Sequence, residues 1–378
     1  MTPKERLIAA LEHRPTDRLP VTTHHLLPYF LNKYADGMDG LEFHQKMGFD
    51  PIVWPFRFLP NPEAHQYRDP KTGIICTDEW TVETAPQEGY AYPTTRYTIH
   101  TPGGELTCLL QHNDMTSWQV ECLLKEPKDI DLIAQYAPHH YIDGEYVNSV
   151  ADQIGSQALV RGMVESFEPF GQPGCWQDLA CLYGIENLIM DTFDDPEWVH
   201  TALKVLLDRK STFARSLKNV RYDLIELGGG DASTTVISPA IFEEFVAPYD
   251  SRVVSLLHES NQRVVYHTCG GMMPILEKIA DMGVDAMETF TPASMGGDIR
   301  LAEAKQRIGD RVCMIGSFDQ GHCFCNCPEE ETRAMVRQCF ADAGAGGGFI
   351  LSPSDHFFDA ELPLIRAFTD EAHKCRYE

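Results

Sequence analysis

The chain has 378 residues, of which 43% are hydrophobic and 10% aromatic, so it can bury a large core and is not a disordered protein. Its formal net charge of −25 comes from 56 acidic and 31 basic residues, and it disfavours nucleic acid and anionic lipid as partners. This length fits either two average domains or one large α/β barrel.

The first residues, MTPKERLIAALEHRP, predict a short helix and contain no apolar core of signal-peptide length. Thr2 is a suitable N-cap, Pro3 suits the first turn, and Glu5 completes a capping box. No stretch approaches the roughly 20 apolar residues that a membrane span needs. We therefore expect a cytoplasmic protein, in which the twelve cysteines are reduced thiols or metal ligands.

Short apolar runs alternate with helical stretches, which is the pattern of repeated β–α units around a parallel sheet. The predicted strands are RLPVTT (18–23), DPIVWPF (50–56), ALVRGM (158–163), DLIEL (223–227), RVVYH (263–267), VDAME (284–288), RVCMIG (311–316) and GGFILS (347–352). These strands predict an α/β protein with one (β/α)8 TIM barrel domain over residues 1–378. A doubly wound sheet is the alternative, but no GxGxxG motif opens the first unit.

Residues 70–125 depart from this pattern. The segments TDEWTVET, TTRYTIHT and ELTCLLQ alternate apolar and polar residues, and TPGGE predicts a hairpin turn between the last two. We therefore expect an antiparallel β excursion near the N-terminus, at about residues 70–125, inserted before the third barrel strand.

Polar side chains follow the predicted barrel strands. In such a barrel the residues just after each strand meet at one mouth, where catalytic groups lie. The candidates are His24, His25, Glu165, Asp231, His267, Cys269, Glu288, Ser317, Asp355 and His356. A set so rich in carboxylates and imidazoles predicts a functional site at the mouth.

His267 and Cys269 form the most specific pair in this set. They are two residues apart, so in an extended segment their side chains point the same way. Imidazole nitrogen and cysteine sulfur are ligands that zinc prefers, and a third ligand must come from another strand end. Asp355 or its neighbour His356 is the best placed. The structural alternative is that His267 bonds a backbone carbonyl and Cys269 is an ordinary buried residue.

Three carboxylates are candidates for catalytic roles. Glu288 and Glu165 would orient metal ligands or substrate, and the alternative for both is a salt bridge at the rim. Asp231 follows three glycines, which let the backbone approach a substrate closely, although a tight turn explains the same pattern.

Four further residues are candidates to bind substrate at the mouth: His24, His25, Ser317 and His356. For one of the two adjacent histidines, the alternative is that it caps a helix.

The segment GHCFCNC (321–327) carries three alternating cysteines in a loop. It has no fourth thiol nearby and neither a CxxC nor a ferredoxin spacing, so ordinary reduced cysteines are expected there.

Five segments, in order along the chain, resemble the uroporphyrinogen decarboxylase superfamily: MTPKERLIAALEHRPTDRLPV, ISPAIFEEFVAPYDSRVV, VVYHTCGGMMPILEKIADMGVDAMETF, LAEAKQRIGDRVCMIGSFD and GGGFILSPSDHF. The resemblance covers most of the chain and is weakest in the inserted excursion. It implies a (β/α)8 barrel. Members that decarboxylate uroporphyrinogen carry an arginine-rich RQAGR motif, whereas the corresponding region here reads VTTHHLLPYF, so the resemblance to that branch is the weaker one.

The chain more closely resembles the zinc-dependent corrinoid methyltransferases of the superfamily. Those members have an HxC pair, matched by His267 and Cys269, and a cysteine after the last strand, where this chain has Asp355 within PSD. A carboxylate keeps the ligand charge but makes zinc a harder Lewis acid, which suits a methyl group bound to oxygen. The resemblance therefore implies zinc-dependent methyl transfer between a small, O-methylated substrate and a corrinoid (methylcobamide) carried by a partner protein.

Three alternatives stay open at this point. One is a metal-free decarboxylase of the same superfamily, and the second is a methylcobamide:thiol methyltransferase. The third is a barrel that only binds a tetrapyrrole or a partner protein.

Overall fold

The computed structural model describes residues 1–377 and shows an α/β fold built on a parallel sheet. The strands in chain order are β1 (Ile52–Val53), β2 (Phe58–Leu59), β3 (Tyr67–Arg68), β4 (Ile75–Cys76), β5 (Thr81–Gln87), β6 (Thr94–Thr101), β7 (Gly104–His112), β8 (Ser117–Glu121), β9 (Tyr141–Ile142), β10 (Leu159–Met163), β11 (Leu224–Gly228), β12 (Val264–His267), β13 (Ala286–Thr289), β14 (Cys313–Phe318) and β15 (Phe349–Pro353). The main sheet has seven parallel strands in the order β1-β10-β11-β12-β13-β14-β15. Spatial order follows chain order, as expected when each strand is joined to the next by a helical crossover.

The helices in chain order are α1 (Pro3–Leu11), α2 (Pro28–Tyr34), α3 (Gly40–Met47), α4 (Ile130–Tyr136), α5 (Gly144–Ile154), α6 (Cys175–Tyr183), α7 (Ile185–Asp194), α8 (Pro196–Ser216), α9 (Pro239–Ile241), α10 (Ala247–Glu259), α11 (Leu276–Asp281), α12 (Leu301–Ile308), α13 (Gln320–Cys323), α14 (Glu329–Ala343) and α15 (Leu362–Ala372). The capping box predicted for α1 is present, since the side chain of Thr2 accepts from the amide of Glu5 and the reverse bond also forms. Among residues 1–377, no helix combines the length and the apolar character that crossing a membrane requires.

The first predicted barrel strand, at residues 18–23, is reduced to one parallel bridge between Val21 and Leu351. The amide of Leu351 donates to the carbonyl of Pro20 at 2.9 Å, and the amide of Asp50 donates to the carbonyl of Val21 at 2.7 Å. Val21 therefore lies between β15 and the residues just before β1, so the two edges of the sheet approach each other and the sheet is curved. The predicted eight-stranded barrel is therefore confirmed only in part, because the structure shows a curved α/β sheet of seven parallel strands.

Strands β5, β6, β7 and β8 form an antiparallel sheet within the predicted excursion at residues 70–125. The predicted TPGGE turn joins β6 to β7, where the hydroxyl of Thr101 donates to the carbonyl of Gly104 at 2.8 Å. Strand β8 was not predicted from the sequence. Ile99 and Leu106, on one face of this sheet, are buried in the same hydrophobic cluster as Val160 of β10.

Two glycines allow the carboxyl ends of the parallel strands to lie close together. Gly228 has a φ of 108° and Gly316 a φ of 127°. A Cβ atom at Gly228 would lie 2.4 Å from the carbonyl oxygen of His267, and one at Gly316 would lie 2.3 Å from that of Thr289. A side chain at either position would clash with this backbone, so glycine keeps β11 close to β12 at His267 and β14 close to β13 at Thr289.

Candidate metal centre

Three predicted site residues, His267, Cys269 and Asp355, converge at the carboxyl ends of β12 and β15. The Nε2 atom of His267 lies 3.1 Å from Sγ of Cys269, and this thiol donates to Oδ2 of Asp355 at 2.8 Å. One potential ligand atom from each residue lies within 4.8 Å of the others. His267 ends β12 and Cys269 follows two residues later, so the period of an extended segment brings the first two together.

The His267 ring is oriented by Glu288, its register partner on β13. Nδ1 of His267 lies 2.9 Å from Oε1 of Glu288. When this carboxylate accepts the Nδ1 proton, the Nε2 lone pair faces Cys269 and is free to bind a cation. Such a carboxylate–histidine pair is common beside metal sites.

Arg161 of β10 compensates the charge of two buried carboxylates. Its guanidinium donates to Glu288 at 2.9 Å and to Glu226 at 2.7 Å, and all three side chains are buried. Burial opposes ionisation of Glu288, but Arg161 and then His24 lower its pKa to about 2. The pKa of Glu226 is likewise well below its usual range, since His24 and Arg161 outweigh the effect of burial. Both carboxylates are therefore ionised at neutral pH.

Both predicted histidines of the first strand end lie against this cluster. Nε2 of His24 lies 3.0 Å from Oε2 of Glu226, and its ring centroid lies 4.9 Å from that of His267. The ring of His25 packs on Trp54, with 4.1 Å between centroids. Burial and then the neighbouring His24 lower the pKa of His25 to about 3, so His25 is neutral at physiological pH.

Asp355 and His356 differ in what they face. Asp355 points to Cys269, while Nδ1 of His356 lies 3.0 Å from Oδ1 of Asp355 and its ring packs edge-on against Phe358. Burial opposes ionisation of Asp355, but His356 and His267 hold its pKa well below the usual range. Of the two predicted third ligands, Asp355 therefore contacts Cys269 directly, and His356 contacts Asp355 from the more exposed side; the metal-ligand role of either residue remains a prediction.

Glu165 is placed apart from this centre. Its carboxylate lies 3.3 Å from Nδ1 of His140, and its carbonyl accepts from Nζ of Lys210 at 2.8 Å. Burial opposes ionisation, but the adjacent imidazole of His140 lowers the pKa of Glu165 to about 2. Glu165 thus belongs to a separate buried charge network, and the prediction that it orients the metal ligands has no support in this geometry.

Asp231 and Ser317 also have partners outside the cluster. Oδ2 of Asp231 accepts from the side-chain amide of Gln177 at 2.7 Å, within a short 3-10 turn. Ser317 lies within β14 with a φ of 71°, and its carbonyl accepts from the thiol of Cys339. The catalytic role predicted for Asp231 and the substrate role predicted for Ser317 remain predictions, with no contact to His267 or Cys269 to carry them.

Sequence reasoning missed Arg161 and Glu226, although a signal for both was present. Each is a charged residue inside an otherwise apolar strand segment, ALVRGM and DLIEL. A charge in a buried strand is costly unless it is paired, so two such residues on adjacent strands indicate a buried ion pair. Arg161 bonds both to Glu226 and to Glu288, the carboxylate that the strand-end pattern did identify.

The donor set fits zinc. One imidazole, one thiol and one carboxylate are zinc ligand types, and with bonds of about 2.0 Å to nitrogen and 2.3 Å to sulfur a tetrahedral site separates these two donors by about 3.6 Å. The 3.1 Å between His267 and Cys269 is close to this separation. Burial raises the pKa of Cys269, so without a cation the sulfur keeps the proton that it donates to Asp355. Three protein donors with a fourth position open are typical of catalytic zinc sites.

The chain matches the family model described as uroporphyrinogen decarboxylase (URO-D) over residues 126–375, and it belongs to this family. Among curated relatives, a uroporphyrinogen decarboxylase of Trichodesmium erythraeum is 27% identical over 214 residues. That match covers 54% of this chain and 54% of the relative, so the chain spans about half the length of the decarboxylase it matches.

A second relative matches over almost the whole chain. The methylcobamide:CoM methyltransferase MtaA of Methanosarcina barkeri is 22% identical over 354 residues, which are 93% of this chain and 91% of that protein. A solved structure, a methyltransferase from Methanosarcina mazei, has a TM-score of 0.66 at 16% identity and covers 99% of both chains, which shows the same fold. The family match confirms the predicted superfamily, and the nearly full-length match to MtaA supports its methyltransferase branch.

Proposed function

We propose that the protein is a corrinoid-linked methyltransferase that moves a methyl group between a small methylated substrate and a corrinoid held by a partner protein. The observation that carries this proposal is the convergence of His267, Cys269 and Asp355 at the carboxyl ends of the parallel strands. The similarity to a methylcobamide:CoM methyltransferase over 93% of the chain supports the corrinoid partner.

Zinc is the cofactor that this donor set favours, and when bound it supplies Lewis-acid polarisation of the atom that carries the methyl group. His267, Cys269 and Asp355 would hold it. A carboxylate in the third position makes the cation harder than a second thiolate would, which favours oxygen over sulfur as the atom that loses the methyl group. This is the support for an O-methyl substrate.

The surrounding residues keep the candidate centre in one arrangement. Glu288 fixes the ring orientation of His267, and Arg161 compensates the two buried carboxylates, so neither carboxylate needs to take a proton. Trp54 and the neutral His25 form an aromatic face beside His24. An uncharged aromatic face suits a methylated, uncharged substrate better than a polyanion.

One feature argues against the metal-free decarboxylase as the alternative. A substrate with many carboxylates needs accessible cations, whereas Arg161 is 1% exposed and is paired with Glu226 and Glu288. The formal net charge of −25 adds repulsion toward such a substrate.

We also propose that the chain folds as one barrel domain in which the segment at Val21 acts as the eighth strand. The bridge to Leu351 and the bond from the amide of Asp50 support this closure. The packing of Ile99 into the same hydrophobic cluster as the barrel strands supports a single domain. Limited proteolysis that releases two stable folded fragments would contradict the single domain.

The test combines metal analysis with a methyl-transfer assay. Zinc content is measured for the purified protein and for His267→Ala, Asp355→Ala and the exposed control His112→Ala; we expect the first two variants each to lose one equivalent. Methyl transfer to Co(I) cobalamin is then followed spectroscopically over methoxylated, N-methylated and S-methylated compounds, and we expect transfer from the methoxylated compounds. Full zinc content in His267→Ala and Asp355→Ala would contradict the metal site, and transfer from thioethers alone would contradict the O-methyl substrate.

A further inference from the structure

The cysteine-rich segment GHCFCNC (321–327) lies outside the His267 centre and has no part in the proposed methyl transfer. It follows β14, passes through α13 and ends just before Pro328, the N-cap of α14. Its cysteines have different surroundings. Cys323 is buried, Cys325 donates to the carbonyl of Asp359 at 3.0 Å, and the sulfur of Cys327 is partly exposed.

We propose that His322, Cys327 and Glu331 form a second site, which binds a zinc-class divalent cation. One potential ligand atom from each lies within 4.8 Å of the others, and Nε2 of His322 lies 2.8 Å from Oε1 of Glu331. Imidazole, thiol and carboxylate are again the zinc ligand types. The donors come from α13, from the residue before the N-cap of α14, and from the first turn of α14, so a bound cation joins two helices.

The backbone that carries these donors is already fixed by other bonds. Oδ1 of Asp319 accepts from the amide of His322 at 2.9 Å, and the amide of Asn326 donates to the carbonyl of His322 at 2.9 Å. The hydroxyl of Thr332 donates to the carbonyl of Cys323 at 2.8 Å. Because little chain must be ordered when a cation binds, most of the interaction energy is retained as affinity.

Exposure and position determine which side chains of the second site can bind a cation. The side chains of His322 and Glu331 are 47% and 51% exposed, so a cation reaches the site from solvent and keeps water in its remaining positions. Cys323 is fully buried, whereas the sulfur of Cys327 lies within 4.8 Å of the potential ligand atoms of His322 and Glu331. Cys327 is therefore the sulfur donor.

This second site is connected to the loop that carries Asp355. Gln320, in α13, accepts from the amide of Ser354 at 3.0 Å through its side-chain oxygen, and Cys325 donates to the carbonyl of Asp359. These bonds hold the residues on both sides of Asp355. A cation that joins α13 to α14 thus also stabilises the loop that supplies one donor of the first centre.

The test is a zinc titration of the chelator-treated full chain under reducing conditions, by calorimetry with metal analysis. In the wild type we expect two equivalents, and in a His267→Ala/Cys269→Ala protein we expect one, which is the second site alone. Cys327→Ser, His322→Gln and Glu331→Gln should each weaken that equivalent by about tenfold or more. Cys325→Ser and His258→Gln, a matched cysteine and a matched carboxylate-paired histidine, should leave it unchanged.

A second readout is hydrogen exchange at residues 322–331, which zinc should slow in the His267→Ala/Cys269→Ala protein and not when Cys327→Ser is added. No zinc bound to that protein, or equal binding with and without Cys327→Ser, would overturn the proposal. Neither outcome bears on the His267 centre, which is tested separately by the loss of zinc in His267→Ala alone.

Discussion

His267 and Glu288 face each other across β12 and β13, with 2.9 Å between Nδ1 and Oε1. The same carboxylate accepts from the buried guanidinium of Arg161. One glutamate therefore connects a candidate metal ligand to the buried charges behind it, and the orientation of His267 depends on a residue on the neighbouring strand.

Replacing Glu288 by glutamine should weaken zinc binding about 10- to 100-fold, because the negative charge that holds the Nδ1 proton of His267 is lost. Competition with a chelator of known affinity measures the change. Glu165→Gln is the control, and we expect unchanged affinity because that carboxylate faces His140. Equal weakening in both variants would show that Glu288 has no specific role.

The Arg161→Met variant should lower the free energy of unfolding by about 3–5 kcal/mol, because it leaves the carboxylates of Glu226 and Glu288 buried without their cation. Urea unfolding measures this difference. Arg300→Met removes an exposed guanidinium that pairs with Glu303 and should leave stability nearly unchanged. A loss of less than about 1 kcal/mol for Arg161→Met would contradict a structural role for the buried cation.

Asp355 and His356 should differ in their effect on the metal. We expect Asp355→Ala to weaken zinc binding by about tenfold or more, because the variant removes an anionic donor that faces Cys269. His356→Ala removes only a neighbour of that carboxylate and should change the affinity much less. The reverse order, measured by the same chelator competition, would make His356 the third ligand.

Stability should depend on pH through His258. The hydrogen bond with Asp285, 2.9 Å long, raises the pKa of His258 above its ordinary 6.5, so the folded state favours the charged ring. Its contribution is fully present below pH 6.5 and is lost as pH rises through the raised pKa. The difference in unfolding free energy between wild type and His258→Gln should therefore shrink from pH 6 to pH 9. A difference for His258→Gln that stays constant from pH 6 to pH 9 would contradict the ion pair.

The parts of the site that follow from local periodicity were predictable. His267 and Cys269 lie side by side because an extended segment repeats every two residues, whatever fold surrounds it. Glu288 follows from the same reasoning at the end of β13. The third ligand could be narrowed to Asp355 or His356. Which of these two side chains faces Cys269 depends on the conformation of the loop after β15, which a strand pattern does not describe.

Glu165 and Arg161 show what a local pattern leaves out. Glu165 follows β10, yet its carboxylate turns to His140, whose position depends on the long segment inserted between β1 and β10. Arg161 reaches Glu226 on β11 and Glu288 on β13 because the curved sheet brings these strands together, which is tertiary information. A charged residue within a buried strand must be paired, so the sequence indicates that Arg161 has partners. It does not indicate which residues these partners are.

The segment at Val21 joins the two edges of the curved sheet through one bridge to Leu351, with two backbone hydrogen bonds, whereas β14 and β15 pair at five positions. The contact at Val21 is thus the least paired junction of the sheet, and we expect its amides to exchange with solvent before those of β14 and β15. His24 follows three residues later, so an opening at Val21 would carry its imidazole away from Glu226 and would admit solvent to the charges behind His267. We therefore expect solvent access to the interior of the centre to depend on the least paired segment of the sheet.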